Sequence, residues 1–76
     1  MNDFVESVVK ALVDNPEEVN VNEVIGERGA VYEVRVAQSD LGKVIGKGGQ
    51  TVKAMRSLMT AIAAKHGKRV GLEILD

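Results

Sequence analysis

The sequence predicts an α+β fold in which three helices cover one face of a three-stranded mixed sheet. Apolar residues recur at helical spacing near the amino end and again after residue 50. Three short segments alternate apolar and polar residues, as half-buried strands do. A cluster of glycines separates two helical patterns, which gives the element order α-β-β-α-α-β. The length of 76 residues predicts a single domain over residues 1–76.

The first helix is predicted between Asp3 and the pair Asn15-Pro16, because proline disfavours a helical conformation in the residue before it. Glu6 follows Asp3 at the spacing of a capping box. The residues expected to face the core from this helix are Phe4, Val8 and Leu12.

Two strands are predicted next, joined by the turn Glu27-Arg28-Gly29. The first covers about residues 19–26, with a bulge near Glu23 or Val24, where the alternation breaks. The second covers residues 31–37, and its apolar face is predicted to carry Tyr32, Val34 and Val36. So short a turn predicts antiparallel pairing of the two strands.

A short second helix is predicted to end at Ile45, with Ser39 or Asp40 as its N-cap. The third helix is predicted over about residues 50–66 and ends before Gly67, a typical C′ residue. The residues predicted on its buried face are Val52, Met55, Met59, Ile62 and His66, with Leu58 beside them.

The last predicted strand contains Val70, Leu72 and Ile74 in alternation. Because it returns after a crossover that contains two helices, we expect it to lie parallel to the strand of residues 31–37 and beside it. The strand of residues 19–26 is then expected on the other flank of the central strand.

Charge is distributed unevenly along the chain, although the net charge is only −1. Residues 1–40 carry nine acidic and three basic groups, whereas residues 41–72 carry seven basic groups and no acidic one. Glu73 and Asp76 complete the total. This asymmetry predicts a surface that faces a polyanion on the second half of the chain.

The composition excludes several classes of function. The chain has no cysteine, which excludes disulfides and thiolate metal sites. His66 is the only histidine, and its place at a helix end indicates an interaction with the helix dipole. No carboxylate has a partner suited to general acid or base catalysis, so we expect neither an enzyme nor a cofactor. The absence of a long apolar run and the acidic amino end predict a cytoplasmic protein without a membrane segment.

The most specific motif is the segment Val44-Ile45-Gly46-Lys47-Gly48-Gly49, directly before the third helix. A Walker A loop needs four residues between its first glycine and the Gly-Lys pair, but only three separate Gly42 from Gly46. A dinucleotide fingerprint that starts at Gly46 would need glycine or alanine in place of Thr51. An apolar pair followed by G-x-x-G instead resembles the signature of the KH domain, a single-stranded nucleic-acid binding module.

The element order extends this resemblance to the whole chain. The order resembles the type II KH fold, and the length resembles the small bacterial KH proteins of the KhpA (YlqC-like) family. This resemblance implies a groove for about four unpaired nucleotides, with their phosphates on the glycine loop. The implied RNA-binding residues are Lys43, Val44, Ile45, Gly46, Lys47, Gly48, Gly49, Lys53, Arg56, Lys68 and Arg69.

The resemblance also implies a role for each group of residues. Val44 and Ile45 would shape an apolar platform for the bases, and the short loop at 67–69 would form the opposite wall of the groove. The last strand, near residues 70–72, would meet the base edges. The outer phosphate contacts would be made by Lys43, Lys53 and Arg56.

Contacts to three or four phosphates predict weak, salt-sensitive binding that a second module would reinforce. The family resemblance implies an RNA chaperone or post-transcriptional regulator connected with cell elongation and division. It also implies a homodimer, or a heterodimer with a larger KH-containing protein of the KhpB (Jag) type. The alternative is a protein-interaction subunit whose main role is to dimerise with such a partner. Nothing in the sequence separates single-stranded RNA from single-stranded DNA.

Overall fold

The chain folds in the order α-β-β-α-α-β, as predicted, in a computed structural model that describes all 76 residues. The helices are α1 (Asn2–Leu12), α2 (Leu41–Ile45) and α3 (Gln50–Ala64). The strands are β1 (Asn20–Ile25), β2 (Gly29–Arg35) and β3 (Arg69–Leu75). Single turns of 3₁₀ helix lie at Pro16–Glu18, Gln38–Asp40 and Lys47–Gly49. No helix is long and apolar enough to cross a membrane.

The sheet has the strand order β1-β2-β3, with β1 antiparallel and β3 parallel to the central strand β2. This topology confirms the predicted mixed sheet. The predicted bulge in β1 is wrong, because pairing runs without interruption from Asn20 opposite Arg35 to Ile25 opposite Ala30. The polar residue that breaks the alternation is Glu23, which stays on the helix side of the sheet and accepts a 2.6 Å hydrogen bond from the hydroxyl of Tyr32.

Strand β2 begins at Gly29, two residues earlier than predicted, and ends at Arg35 rather than at residue 37. Gly29 lies opposite Arg69 of β3, and a β-carbon at Gly29 would collide with the main chain of Arg69. Glycine therefore allows the two strands to approach closely at this end of the sheet.

All three helices lie on one face of the sheet, as predicted. The sheet residues buried beneath them are Tyr32, Val34 and Leu72. Helix α1 packs on the sheet through Val5 and Val9, which are fully buried. The residues predicted to face the core are only partly buried at its margin: Phe4, Val8 and Leu12. The predicted capping box is wrong, because α1 begins at Asn2 and no side chain caps it.

Helix α3 buries Val52, Met55, Met59 and Ala63. The prediction that Ile62 and His66 are buried is wrong, because Ile62 is 38 % exposed and His66 lies beyond the helix on the surface. The chain leaves α3 in a Schellman motif, in which the Lys68 N–H donates to the carbonyl of Ala63 at 3.0 Å. Gly67 supplies the left-handed residue of this motif, with φ of 67°, as predicted.

Candidate nucleic-acid interface

Three glycines with positive φ turn the chain from α2 into α3. Gly46 has φ 78° and ψ 167°, a region that is essentially restricted to glycine. Gly48 and Gly49 follow with φ of 64° and 76°, in the left-handed region. This backbone explains why a G-x-x-G sequence is found here, since no other residue type adopts all three conformations without strain.

The glycines of this loop have two different roles. A β-carbon on Gly46 would collide with the side chain and main-chain nitrogen of Thr51, so this glycine closes the loop against α3. A β-carbon on Gly48 or Gly49 would have no neighbouring atom within 4 Å. The tip of the loop is therefore open, and Lys47 and Gly48 are exposed on it.

The tip of the loop lies at the amino end of the 15-residue helix α3. No side chain caps this end, and the N-cap residue is Gly49. The positive end of the helix dipole favours an anion here, and the exposed ammonium of Lys47 adds a full charge. The arrangement suits the backbone phosphates of a nucleic acid.

The predicted apolar platform is only half accessible. Val44 is fully buried, whereas Ile45 is 40 % exposed at the end of α2. Val44 therefore fixes α2 to the core, and of the pair only Ile45 offers a surface to a ligand.

Helix α2 is held in place by Asp40, whose carboxylate is only 1 % exposed. Asp40 is the N-cap residue of α2, one of the two candidates that the sequence predicts, but its side chain forms no cap hydrogen bond. Instead, the Asp40 carboxylate accepts hydrogen bonds from the main-chain N–H groups of Asp14, at 3.3 Å, and Asn15, at 3.0 Å. The side-chain amide of Asn15 donates a third, at 3.1 Å. These bonds fasten the start of α2 to the segment that follows α1.

Burial by itself would raise the pKa of Asp40. The hydrogen bonds from Asn15 and Asp14, together with the charge of Lys43, outweigh burial and hold the pKa below its usual value. Asp40 is therefore a buried carboxylate whose charge is stabilised by three hydrogen bonds and by the nearby ammonium of Lys43.

Lys43, an outer phosphate contact according to the family resemblance, interacts with acidic residues of the protein itself. Its ammonium forms an ion pair with Asp14 and lies 3.6 Å from the carboxylate of Asp40. The hydrogen bond with Asp14 is the main cause of a raised pKa of Lys43. The charge of Lys43 is thus matched within the protein, whereas Lys47 and Lys53 have no such partner in the structure.

A groove of about 320 Å³ runs between α3 and the edge strand β3. Arg56, Met59 and Thr60 line it from the helix, and residues 70–73 line it from the strand. Arg56 crosses to the strand and donates from Nε and Nη2 to the carbonyl oxygen of Leu72, at 3.2 Å and 3.0 Å. Arg56 therefore lies at the edge of β3. The resemblance implies that bases bind at this edge, and that Arg56 contacts a phosphate.

Lys68 and Arg69 lie at the opposite end of α3 from the glycine loop. A helix of 15 residues separates the two sites by about 22 Å. The two residues line a different cavity of about 540 Å³, together with the β1–β2 hairpin. They flank the far end of the molecule and do not face the glycine loop as a second wall.

Two polar residues of the groove, Thr60 and Glu73, could not be identified from the sequence. Thr60 looks like an ordinary exposed position of a helix, and Glu73 like an exposed position of a strand. Their proximity depends on how α3 crosses β3, for which the sequence carries no local signal.

The chain is similar to known proteins over its whole length. The family model described as "KhpA/KhpB, KH domain" matches residues 2–74. A protein of Aquifex aeolicus named "RNA-binding protein KhpA" is 51 % identical over all 76 residues and 96 % of its own length. Proteins of the same name from Chlamydia caviae and Clostridium perfringens are 46 % and 48 % identical, with 100 % and 99 % of this chain and 97 % and 100 % of theirs covered. No solved structure gives a significant match.

Proposed function

The chain belongs to the KhpA/KhpB KH-domain family, and we propose that it binds short single-stranded RNA across the glycine loop and the groove between α3 and β3. Phosphates would contact the loop, and bases would enter the groove. The protein would act by binding, without catalysis or a cofactor, on cellular RNA in the cytoplasm. Three relatives that match over nearly their whole length carry the name of an RNA-binding protein, which supports this assignment.

The observation that carries the proposal is the glycine loop itself. Its tip is open, Lys47 is exposed, and the loop ends at the uncapped amino end of α3. An apolar residue, Ile45, is exposed directly before the loop. Anion-binding main chain next to apolar surface is what a single strand requires, because phosphates and bases must be bound side by side.

The loop supplies few charged contacts, so binding by one copy should be weak and sensitive to salt. A second KH module would raise the effective concentration of binding sites on one RNA. We therefore propose that the protein acts as a homodimer, or as a heterodimer with a larger KH-containing protein of the KhpB (Jag) type. The role proposed for such a complex is that of an RNA chaperone or post-transcriptional regulator of cell elongation and division.

A second candidate function is a protein-interaction subunit that contacts RNA only within a complex. Leu58 and Ile62 favour it, because they are 56 % and 38 % exposed on α3. Apolar side chains at this spacing form one stripe on a helix and suit a protein partner.

The test is fluorescence anisotropy of labelled single-stranded RNA with the wild type and the double variant Lys47→Asp, Gly48→Asp. The changes place two negative charges where the phosphates are proposed to lie. Both positions are exposed, and a β-carbon at Gly48 meets no other atom. The matched control is Lys47→Asn, Gly48→Asn, which has the same side-chain shapes without the charges. Aspartate and asparagine both tolerate the left-handed conformation of residue 48.

We expect the aspartate variant to lose measurable binding and the asparagine variant to retain weakened binding, with circular dichroism showing both folded. If the folded aspartate variant binds RNA as the wild type does, the glycine loop is not the binding site. If purified wild type binds no single strand but self-associates, the protein-interaction function replaces the proposal.

A further inference from the structure

We propose that Arg56 selects the base that enters the groove, and that it prefers a base with two adjacent hydrogen-bond acceptors, guanine or cytosine. This inference rests on the proposed function and adds a preference to it. The family resemblance implies a phosphate contact for Arg56. Its position at the edge of β3 indicates a different role.

The guanidinium of Arg56 is oriented by the main chain of β3. It donates from Nε and Nη2 to one acceptor, the carbonyl oxygen of Leu72. A guanidinium carries five N–H donors in a rigid plane, so three remain, two on Nη1 and one on Nη2. One hydrogen on each of these two nitrogens points to the outer edge of the planar group, and together they form a fork for two neighbouring acceptors.

The free edge of β3 lies beside this fork. The N–H of Arg69 points to β2, where it donates to the carbonyl of Arg28, while the carbonyl of Leu72 points away from β2 to Arg56. Because main-chain groups alternate sides along a strand, Val70, Leu72 and Ile74 direct theirs to the open edge. The edge therefore offers main-chain donors and acceptors next to the arginine.

The same contact favours a base over an added peptide strand. A strand that paired with this edge would need the carbonyl of Leu72, at the middle of β3. Arg56 occupies that carbonyl with two hydrogen bonds. A base would bind only the outer fork of Arg56, and both hydrogen bonds from Arg56 to the carbonyl of Leu72 would remain.

Arg56 also lies within reach of a strand bound at the glycine loop. It follows Gly49 by seven residues of α3, which is two turns or about 10 Å along the helix axis. A KH loop clamps about four nucleotides, so a base beside the clamped phosphates can enter the groove at Arg56.

The geometry of the fork determines the preference. Guanine presents O6 and N7 side by side, and cytosine presents O2 and N3 on its pairing edge. Adenine has a donor amino group beside each ring acceptor of its exposed edges, and the two carbonyls of uracil are separated by an N–H group. Only guanine and cytosine accept two parallel bonds from one arginine.

The test is anisotropy with short oligoadenylate RNAs that contain a single central guanine, cytosine or uracil, measured with wild type, Arg56→Lys and Lys53→Gln. We expect the guanine or cytosine RNA to bind wild type about 5- to 150-fold more tightly than the uracil RNA, the range for a bidentate pair. Arg56→Lys keeps the charge but loses the fork, so the preference should disappear. Lys53→Gln removes one exposed charge and should weaken all the RNAs equally.

Modified bases separate guanine from cytosine and do not depend on the folding of a variant. 7-Deazaguanine lacks the N7 acceptor, and 3-deazacytosine lacks N3. The preferred base should lose its advantage in the matching deaza form. Equal binding of all the RNAs by wild type, or an unchanged preference in folded Arg56→Lys, overturns the role of Arg56 and leaves the proposed function standing. Failure of wild type to bind any of the RNAs overturns both.

Discussion

Asn15 donates two hydrogen bonds to the carboxylate of Asp40, from its main-chain N–H at 3.0 Å and from its side-chain amide at 3.1 Å. The two residues are 25 positions apart in the sequence. Helix α2 begins directly after Asp40, has only five residues, and leads into the glycine loop. The position of the loop therefore depends on a buried contact outside the proposed binding surface.

The substitution Asp40→Asn should lower both the melting temperature and the affinity for RNA. The amide replaces one carboxylate oxygen with a donor that faces the donors of Asp14 and Asn15. Thermal denaturation followed by circular dichroism measures the first effect. Asp14→Asn is the control, because the Asp14 side chain is 74 % exposed and only its main chain binds Asp40. Equal melting temperatures for Asp40→Asn and wild type would contradict the role of this contact.

Stability should fall in acid because of the same residue. The pKa of Asp40 is lower in the folded protein than in the unfolded chain, so folding favours the charged form. The contribution is complete above the usual carboxyl pKa and is lost as the pH falls through the folded value. Urea unfolding between neutral pH and pH of about 2 should show a shallower loss for Asp40→Asn than for wild type. A parallel loss in both proteins would show that Asp40 does not cause it.

Lys47 and Lys43 should differ in their effect on RNA binding. Each phosphate neutralised on a single strand contributes about 0.7 to the slope of log K against log salt. Lys47→Gln should reduce that slope by about this amount, because the side chain is exposed at the loop. Lys43→Gln should leave the slope almost unchanged, because Lys43 is paired with Asp14 and Asp40. Equal reductions would mean that Lys43 leaves its partners and contacts the RNA.

Gly46 should be the least replaceable glycine of the loop. Gly46→Ala would place alanine in a conformation restricted to glycine, and its β-carbon would collide with Thr51. The backbone strain alone should lower the free energy of unfolding by about 1–3 kcal/mol. Gly42→Ala is the matched control within α2. It meets no atom within 4 Å and should stabilise the helix by about 0.5–1 kcal/mol. Chemical denaturation measures both, and a neutral Gly46→Ala would contradict the loop geometry.

The sequence predicted the fold well, because its signals are local. Glycine and proline positions, alternation and helical spacing gave the element order and the strand topology. The prediction was wrong where a contact between residues distant in the sequence determines the local structure. Glu23 suggested a bulge because the hydrogen bond from Tyr32, which holds it on the helix side of the sheet, is not visible in the sequence.

The same difference between local signals and long-range contacts applies to the candidate site. The glycine loop could be identified from the sequence, since its conformation is set by the residues themselves. The surroundings of Lys43 and Arg56 could not, because their partners are Asp14 and Leu72, distant in the sequence. The family resemblance implies a phosphate contact at both residues, but Lys43 is paired with acidic residues and Arg56 with the main chain.

The most direct test of the binding surface is an NMR titration of ¹⁵N-labelled protein with a short single-stranded RNA. We expect the largest shift changes at the amides of Gly46, Lys47, Gly48 and Gly49, continuing along α3 to the edge of β3. The exposed sheet face around Val24, in the outer strand β1, should stay unchanged. Changes that are concentrated on that sheet face or on α1, with the loop amides unmoved, would contradict the proposed binding surface.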